Sequence, residues 1–140
     1  MISGLFALAF AAAFTGAALY VNWVEQPARL ALDEEALLRE WGPSDSRGFA
    51  LLSTLALAAA IAGFVAYFES QDLRWAVGAL VIIFSWPYTF FVMAPLNNQI
   101  LSLRGRDVAA ARALIRQWGF IESGLTAIGA IAVAVFLWVL

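Results

Sequence analysis

Three polar residues at the end of the first apolar stretch have the types and spacing of a small reactive site. Asn22, Glu25 and Arg29 stand at i, i+3 and i+7, so a continuous helix places them on one face. A carboxylate such as Glu25 can act as a general base, and a guanidinium or amide can stabilise an oxyanion. The four-residue spacing of Glu25 and Arg29 also predicts an ion pair. The alternative is a membrane-edge anchor with both charges among lipid headgroups.

Glu122 is the only acidic residue within the apolar stretches of the chain. It follows Trp118 by four residues and lies about one turn inside the last stretch. A lone carboxylate at that depth costs several kcal/mol unless it is paired or protonated. We therefore expect Arg29 or Arg47 to pair with it, and the candidate catalytic residues are Glu25, Arg29 and Glu122.

A second set of polar and aromatic residues is predicted to contact a ligand. Tyr88 follows a proline inside the third apolar stretch, and a hydroxyl at that depth needs a partner. The candidate ligand-binding residues are Asn22, Trp41, Tyr88, Asn97, Asn98 and Trp118. The alternatives are aromatic packing for Tyr88, helix termination for the paired asparagines and an interfacial belt for the tryptophans.

Several kinds of chemistry are excluded by composition. The chain has no Cys and no His, which rules out disulfides, Cys/His zinc sites, His-ligated haem and nucleophilic dyads that use either residue. Neither a Walker-type loop nor a GxGxxG fingerprint occurs. The net charge of −2 provides no basic field for nucleic acid. We expect no metal, no cofactor and no nucleic-acid partner.

The elements that must position these residues are membrane-spanning helices. The chain is 64% hydrophobic and 13% charged, against about 45–50% and about 25% in soluble domains. The excess forms four runs of about 20 residues, the length that a helix needs to cross a bilayer. These runs lie at about 2–23, 49–68, 75–94 and 119–140. We predict an all-α fold, an integral membrane four-helix bundle in one domain of residues 1–140.

An internal repeat divides this bundle into two halves. The segment ALLREWG at 36–42 reappears as ALIRQWG at 113–119, and each follows an apolar run with a proline-bearing exit. This order predicts a 2+2 pseudo-repeat with Trp41 and Trp118 in equivalent places. Asp33 is the predicted N-cap of a short helix before the second run. The glycine and proline at 42–43 are predicted to end that helix.

The arginines predict the orientation in the membrane. All eight basic residues are Arg, and seven of them lie in the first and third connections, with only Arg74 on the other side. The positive-inside rule then places both long connections in the cytoplasm and both termini outside, in a bacterial inner membrane.

Several motifs, in their order, resemble the DUF1772 family of small four-helix membrane proteins. They are TGAALY with NWVEQPARL, WGPS with RGF, WPYT with PLNN, and LIRQWG. The family includes fungal anthrone oxygenases, and the resemblance implies oxidation of polycyclic anthrones to anthraquinones without metal or flavin. Such relatives usually carry a His or Asn and then an Arg after the last Trp-Gly. Here Glu122 stands at the first of those places and Gly124 or Leu125 near the second.

Three functions can be weighed against these features. The first is binding of a hydrophobic small molecule, or an accessory role in a membrane complex, with lipid and a larger complex or homo-oligomer as partners. The alternative is a cofactor-independent anthrone oxygenase-like enzyme. Against it, Glu122 makes the local charge more negative where an oxyanion needs positive support. The third, a transporter built from parallel repeats, lacks a charge near the bilayer centre. A cavity lined by Glu25, Arg29, Asn97 and Glu122 would favour a ligand over a purely structural role.

Overall fold

Four long helices make up the protein. The structure, a computed structural model, describes residues 1–140; 90% of the chain is helical and it has no strands. The helices are α1, Ile2–Leu30; α2, Glu34–Ser70; α3, Leu73–Leu101; and α4, Val108–Val139, which begins with a 3₁₀ turn. Each is long and apolar enough to cross a bilayer. The predicted all-α membrane bundle is confirmed.

The helices form a closed antiparallel ring in chain order. Helix α1 packs against α2 and α4, and α3 packs against the same two helices from the opposite side. Their outer faces carry large apolar side chains such as Phe91 and Phe120, which are 80% and 81% exposed. Exposed apolar side chains of this size indicate that lipid surrounds the bundle.

Small residues allow the helices to approach closely at the end of the bundle away from the long connections. Gly78 of α3 faces the ring of Phe136 so closely that a Cβ there would overlap it. Trp75 packs against the same ring, with centroids 5.6 Å apart. Packing of this kind holds helices together where lipid removes the hydrophobic driving force.

The predicted helix break before the second span is wrong, because α2 runs without interruption through Pro43. Its predicted N-cap is present, since the side chain of Asp33 accepts a hydrogen bond from the third residue of the helix. Leu37 and Trp41 are buried on one face, and Pro43 lies on the exposed face. Pro43 has no N–H to donate to the carbonyl of Arg39, four residues earlier in the helix. Arg39 is itself exposed. Packing of the buried face maintains the helix.

Helices α1 and α3 share an irregularity in matching places. Each is 29 residues long and contains one π-helical turn, Val21–Glu25 in α1 and Thr89–Met93 in α3. Each turn ends two residues before a proline, Pro27 or Pro95. Proline cannot donate to the helical ladder, so the hydrogen bonds shift at both places. This correspondence agrees with a 2+2 pseudo-repeat; superposition of the two halves stays a prediction.

Arg112 ties the start of α4 to the connection between α1 and α2. Its guanidinium donates to the carbonyl of Leu30 and, at 2.5 Å, to that of Leu32. It also pairs with Glu34 at 3.3 Å. The end of α1 thus obtains donors for carbonyls that a helix terminus leaves free.

Candidate functional site

A cavity of about 200 Å³ lies between the four helices, at the end of the bundle that holds the predicted polar cluster. Nine of its seventeen lining residues are hydrophobic, so it is an apolar chamber with a few polar groups. The lining residues are Phe14, Val21, Ser44, Asp45, Gly48, Phe49, Leu52, Ser53, Ser85, Trp86, Thr89, Phe90, Met93, Asn97, Trp118, Glu122 and Leu125. All four helices contribute, and the π turns supply Val21 and three of the α3 residues.

Glu122 lines this cavity and has no partner within the protein. The residue is 1% exposed, and neither carboxylate oxygen has a hydrogen bond. The predicted pairing with Arg29 or Arg47 is wrong: Arg29 is paired with other carboxylates, and Arg47 lies exposed on α2. The carboxyl group is therefore available to whatever occupies the cavity.

Two further lining residues carry buried polar atoms without a partner in the protein. They are the hydroxyl of Ser85 and the amide oxygen of Asn97. Together with Glu122 they present both donors and acceptors to one space. Each such group costs about 1–3 kcal/mol if it stays unpaired. Their concentration around one apolar chamber makes it the candidate functional site.

Beside the cavity lies a buried cluster around Arg29, which is 2% exposed. Its guanidinium pairs with Glu25, the predicted partner, and with Glu40, whose Oε2 lies 2.8 Å from Nε. It also donates to the hydroxyl of Ser44 at 2.8 Å and to the side-chain oxygen of Gln26 at 3.3 Å. Two carboxylates thus compensate one positive charge, which removes the larger part of its burial cost.

Trp118 and Ser44 connect this cluster to the cavity wall. The guanidinium carbon of Arg29 lies 5.3 Å from the centroid of the Trp118 ring, within the range of a cation–π contact. Trp41 meets the same ring edge-on at 5.9 Å. Glu25, Arg29 and Trp41 do not line the cavity. Of the three predicted catalytic residues, only Glu122 reaches it.

Gln26 is a cluster member that the sequence analysis missed. It is 7% exposed, and its amide donates to the carbonyl of Ile115 at 2.8 Å, joining α1 to α4. Gly119 makes this contact possible, since a Cβ there would lie 2.5 Å from the Gln26 nitrogen. The available signal was the position of Gln26 one helical turn before Arg29, together with the glycine of the repeated Trp-Gly motif.

The remaining predicted ligand-binding residues lie outside the cavity. The hydroxyl of Tyr88 donates to the carbonyl of Ile121 at 2.5 Å, and its ring packs against the backbone at Gly124, where a Cβ would overlap it. Asn22 has a buried side-chain nitrogen without a partner but does not line the cavity. Asn98 is exposed. Of the six, Asn97 and Trp118 are the two that line it.

Asp45 is a second carboxylate in the cavity wall, and sequence analysis missed it because a loop was predicted there. The continuous helix places it four residues after Trp41, on the inward face. Its Oδ2 accepts a hydrogen bond from the side-chain amide of Asn97 at 3.3 Å. Both residues also line an outer, more open depression with Asn98 and Arg104. The Asp45–Asn97 pair therefore stands between the inner cavity and the polar end of the bundle.

Comparison with known protein families connects this arrangement to a family. A family model described as anthrone oxygenase matches residues 40–135, more than half of the chain. The chain belongs to this family, which is DUF1772. The part matched to the anthrone oxygenase family holds every cavity-lining residue except Phe14 and Val21, whereas Glu25 and Arg29 precede it. Searches of curated proteins and of solved structures found no match.

Proposed function

We propose that this member of the anthrone oxygenase family binds a small, mainly apolar molecule between its four helices, within the membrane. The observation that carries the proposal is the set of unpartnered polar atoms on Ser85, Asn97 and Glu122 around one apolar chamber. A ligand with one or two polar groups would satisfy them and bury its apolar part against the remaining wall.

The cavity volume limits the size of the ligand. At about 200 Å³ the chamber is larger than an apolar cavity of ~150 Å³ that is known to take up benzene. It is smaller than the ~300–1,000 Å³ of pockets for drug-sized ligands. We infer a ligand of one or two rings, or the end of a longer molecule.

Access from the bilayer is supported by the outer wall of the cavity. Phe49 of α2 and Phe90 of α3 line the chamber and are 45% and 58% exposed on the outer face of the bundle. Their rings meet edge-on at 6.5 Å. Only side chains separate the chamber from lipid here, so a lipid-dissolved ligand has a short path in when the two rings part.

A variant with a larger side chain in the cavity wall tests the proposal. Gly48 lines the chamber, and a Cβ added there meets no atom within 4 Å. Gly48→Leu therefore begins its side chain in open space and adds four carbon atoms at the chamber wall. Gly16→Leu is the matched control, since Gly16 is also helical with open space but lies on the exposed face of α1.

The measurement is calorimetric titration of 1-naphthol into the detergent-solubilised proteins. We expect saturable binding to the native protein and to Gly16→Leu. Binding to Gly48→Leu should be at least about tenfold weaker, a difference of about 1.4 kcal/mol. Equal binding to all three proteins, or no saturable binding to any, contradicts the proposal.

A second candidate function is cofactor-independent oxygenation, favoured by Glu122. A buried carboxylate in an apolar chamber is suited to take a proton from the methylene carbon of an anthrone. The carbanion would then react with O₂, so that anthrone and O₂ give anthraquinone and water. The oxyanion that develops needs positive support, yet no Arg or Lys lines the cavity and Arg29 is compensated behind Trp118. We therefore expect slow or no anthraquinone formation.

Incubation of the purified protein with an anthrone under oxygen distinguishes the two functions. Rapid anthraquinone formation that is lost in Glu122→Gln would establish the enzyme and show that our charge argument is wrong. A rate equal to that of buffer alone contradicts oxygenation of this anthrone, and the calorimetric titration then tests ligand binding.

The orientation in the membrane belongs to the same proposal. Seven of the eight arginines lie in the two long connections, which supports long connections in the cytoplasm and both termini outside. The bacterial inner membrane stays a prediction. An accessory role in a larger membrane complex, or a homo-oligomer, stays a prediction.

A further inference from the structure

The cavity wall holds acidic side chains and no basic one. Glu122 and Asp45 line it, and no Arg or Lys does. No salt bridge reaches either carboxylate. The nearest buried cation, Arg29, is already paired with Glu25 and Glu40. Within the Arg29 cluster and the cavity wall, one guanidinium therefore accompanies four carboxyl groups, those of Glu25, Glu40, Asp45 and Glu122.

We infer that the cavity takes an organic cation: a small hydrophobic amine or quaternary ammonium. This inference rests on the proposed ligand-binding function and specifies the chemical class of the ligand. A positive charge beside Glu122 supplies the counter-charge that the protein does not provide. In a low-dielectric site an uncompensated carboxylate is costly, and a cation brought next to it removes that cost.

The aromatic wall supports a cation independently of the acidic residues. Five of the seventeen lining residues are aromatic. They are Phe14, Phe49, Trp86, Phe90 and Trp118. Ring faces carry partial negative charge and attract ammonium groups within about 6 Å, most strongly at tryptophan. The same rings bury the apolar part of the ligand, so one wall serves both ends of such a molecule.

Other charged ligands fit this site less well. An anion would meet two carboxylates with no cation in the wall. A hard metal ion takes about six to eight oxygen ligands, and the structure brings no three acidic side chains together as a metal site. A hydrophobic organic cation needs only one or two carboxylates and the apolar, aromatic surroundings that are present.

The test compares two ligands of the same shape. Benzyltrimethylammonium and neopentylbenzene differ by a nitrogen in place of a carbon, so that only the charge changes. Each is titrated by calorimetry into the native protein in uncharged nanodiscs. The variants are Glu122→Gln and Asp45→Asn, with Glu35→Gln as control because Glu35 is exposed on α2 and distant from the cavity wall.

We expect the native protein to bind the cation at least about tenfold more tightly than the neutral isostere. Glu35→Gln should keep this preference, and Glu122→Gln should lose the larger part of it. Asp45→Asn provides the same readout if Glu122→Gln does not fold.

Each other outcome has a definite consequence. Equal or tighter binding of neopentylbenzene by the native protein overturns the cation inference and leaves the proposed function intact. No binding of either ligand overturns both. A preference that is undiminished in both carboxylate variants shows that the cation is bound elsewhere, which also overturns the inference.

Discussion

Replacing Glu122 by leucine is expected to stabilise the empty protein. The side chain is almost completely buried, and both of its oxygens are without a hydrogen-bond partner in the protein. Leucine has a similar volume and no polar atom, so it removes the burial cost without leaving a void. If Glu122 serves ligand binding, it does so at lower stability of the fold, as is usual for functional groups.

The expected increase in the free energy of unfolding follows from the surroundings of Glu122. An unpartnered buried polar group costs about 1–3 kcal/mol, and a charge at the centre of a membrane helix costs about 2.5–3.5 kcal/mol. Glu122 lies near one end of its apolar run, so we use the smaller of these two burial costs. A volume-conserving change costs less than about 1.5 kcal/mol in packing. We expect a net increase of about 1–2 kcal/mol in the free energy of unfolding.

The assay is reversible unfolding of the purified protein by a denaturing detergent, followed by helical circular dichroism. Glu25→Leu is the matched control, because Glu25 is paired with buried Arg29. Its loss should destabilise the protein by about 1–3 kcal/mol, less than the 3–5 kcal/mol of a fully buried pair because Glu40 remains beside Arg29. Destabilisation of 1 kcal/mol or more by Glu122→Leu would refute the reasoning, since it would mean that the carboxylate supports the fold.

Two further predictions concern packing and orientation. Gly119→Ala should lower the free energy of unfolding by about 1–3 kcal/mol because the new methyl overlaps a buried glutamine. Gly42→Ala, with open space around it, should raise it by up to about 1 kcal/mol in the same assay. In the naturally cysteine-free chain, an impermeant thiol reagent on intact cells should label Ser70→Cys and leave Ser102→Cys unlabelled. Equal labelling of the two contradicts the proposed orientation.

Local relationships in the sequence were sufficient to predict several features of the fold. The four apolar runs predicted four helices because only a helix satisfies its own backbone hydrogen bonds within lipid. The Glu25–Arg29 pair was predicted because residues four apart share a helix face whatever surrounds them. The Asp33 cap depends on the next three residues alone.

Three features that depend on packing between helices were missed: the continuity of α2, the place of Asp45 and the partner of Tyr88. The local preference of Pro43 for a break is outweighed by buried neighbours such as Trp41, which keep α2 helical. That continuity brings Asp45 into the cavity wall, so the missed helix and the missed residue have one cause. The hydroxyl of Tyr88 donates to the backbone carbonyl of Ile121 on another helix. The residues next to Tyr88 in the sequence do not predict this partner.

The sequence by itself therefore determined which residues are helical in the membrane, and it identified Glu122 as an unusual charge. Only the tertiary structure decided what Glu122 faces. Arg29, the expected partner of Glu122, lies over the Trp118 ring and is paired with Glu25 and Glu40. Glu122 therefore faces an apolar chamber without a partner. The physical reason is that helix formation depends on neighbours within a few residues. A cavity and its charge balance depend on how the faces of four separate helices are turned toward one another.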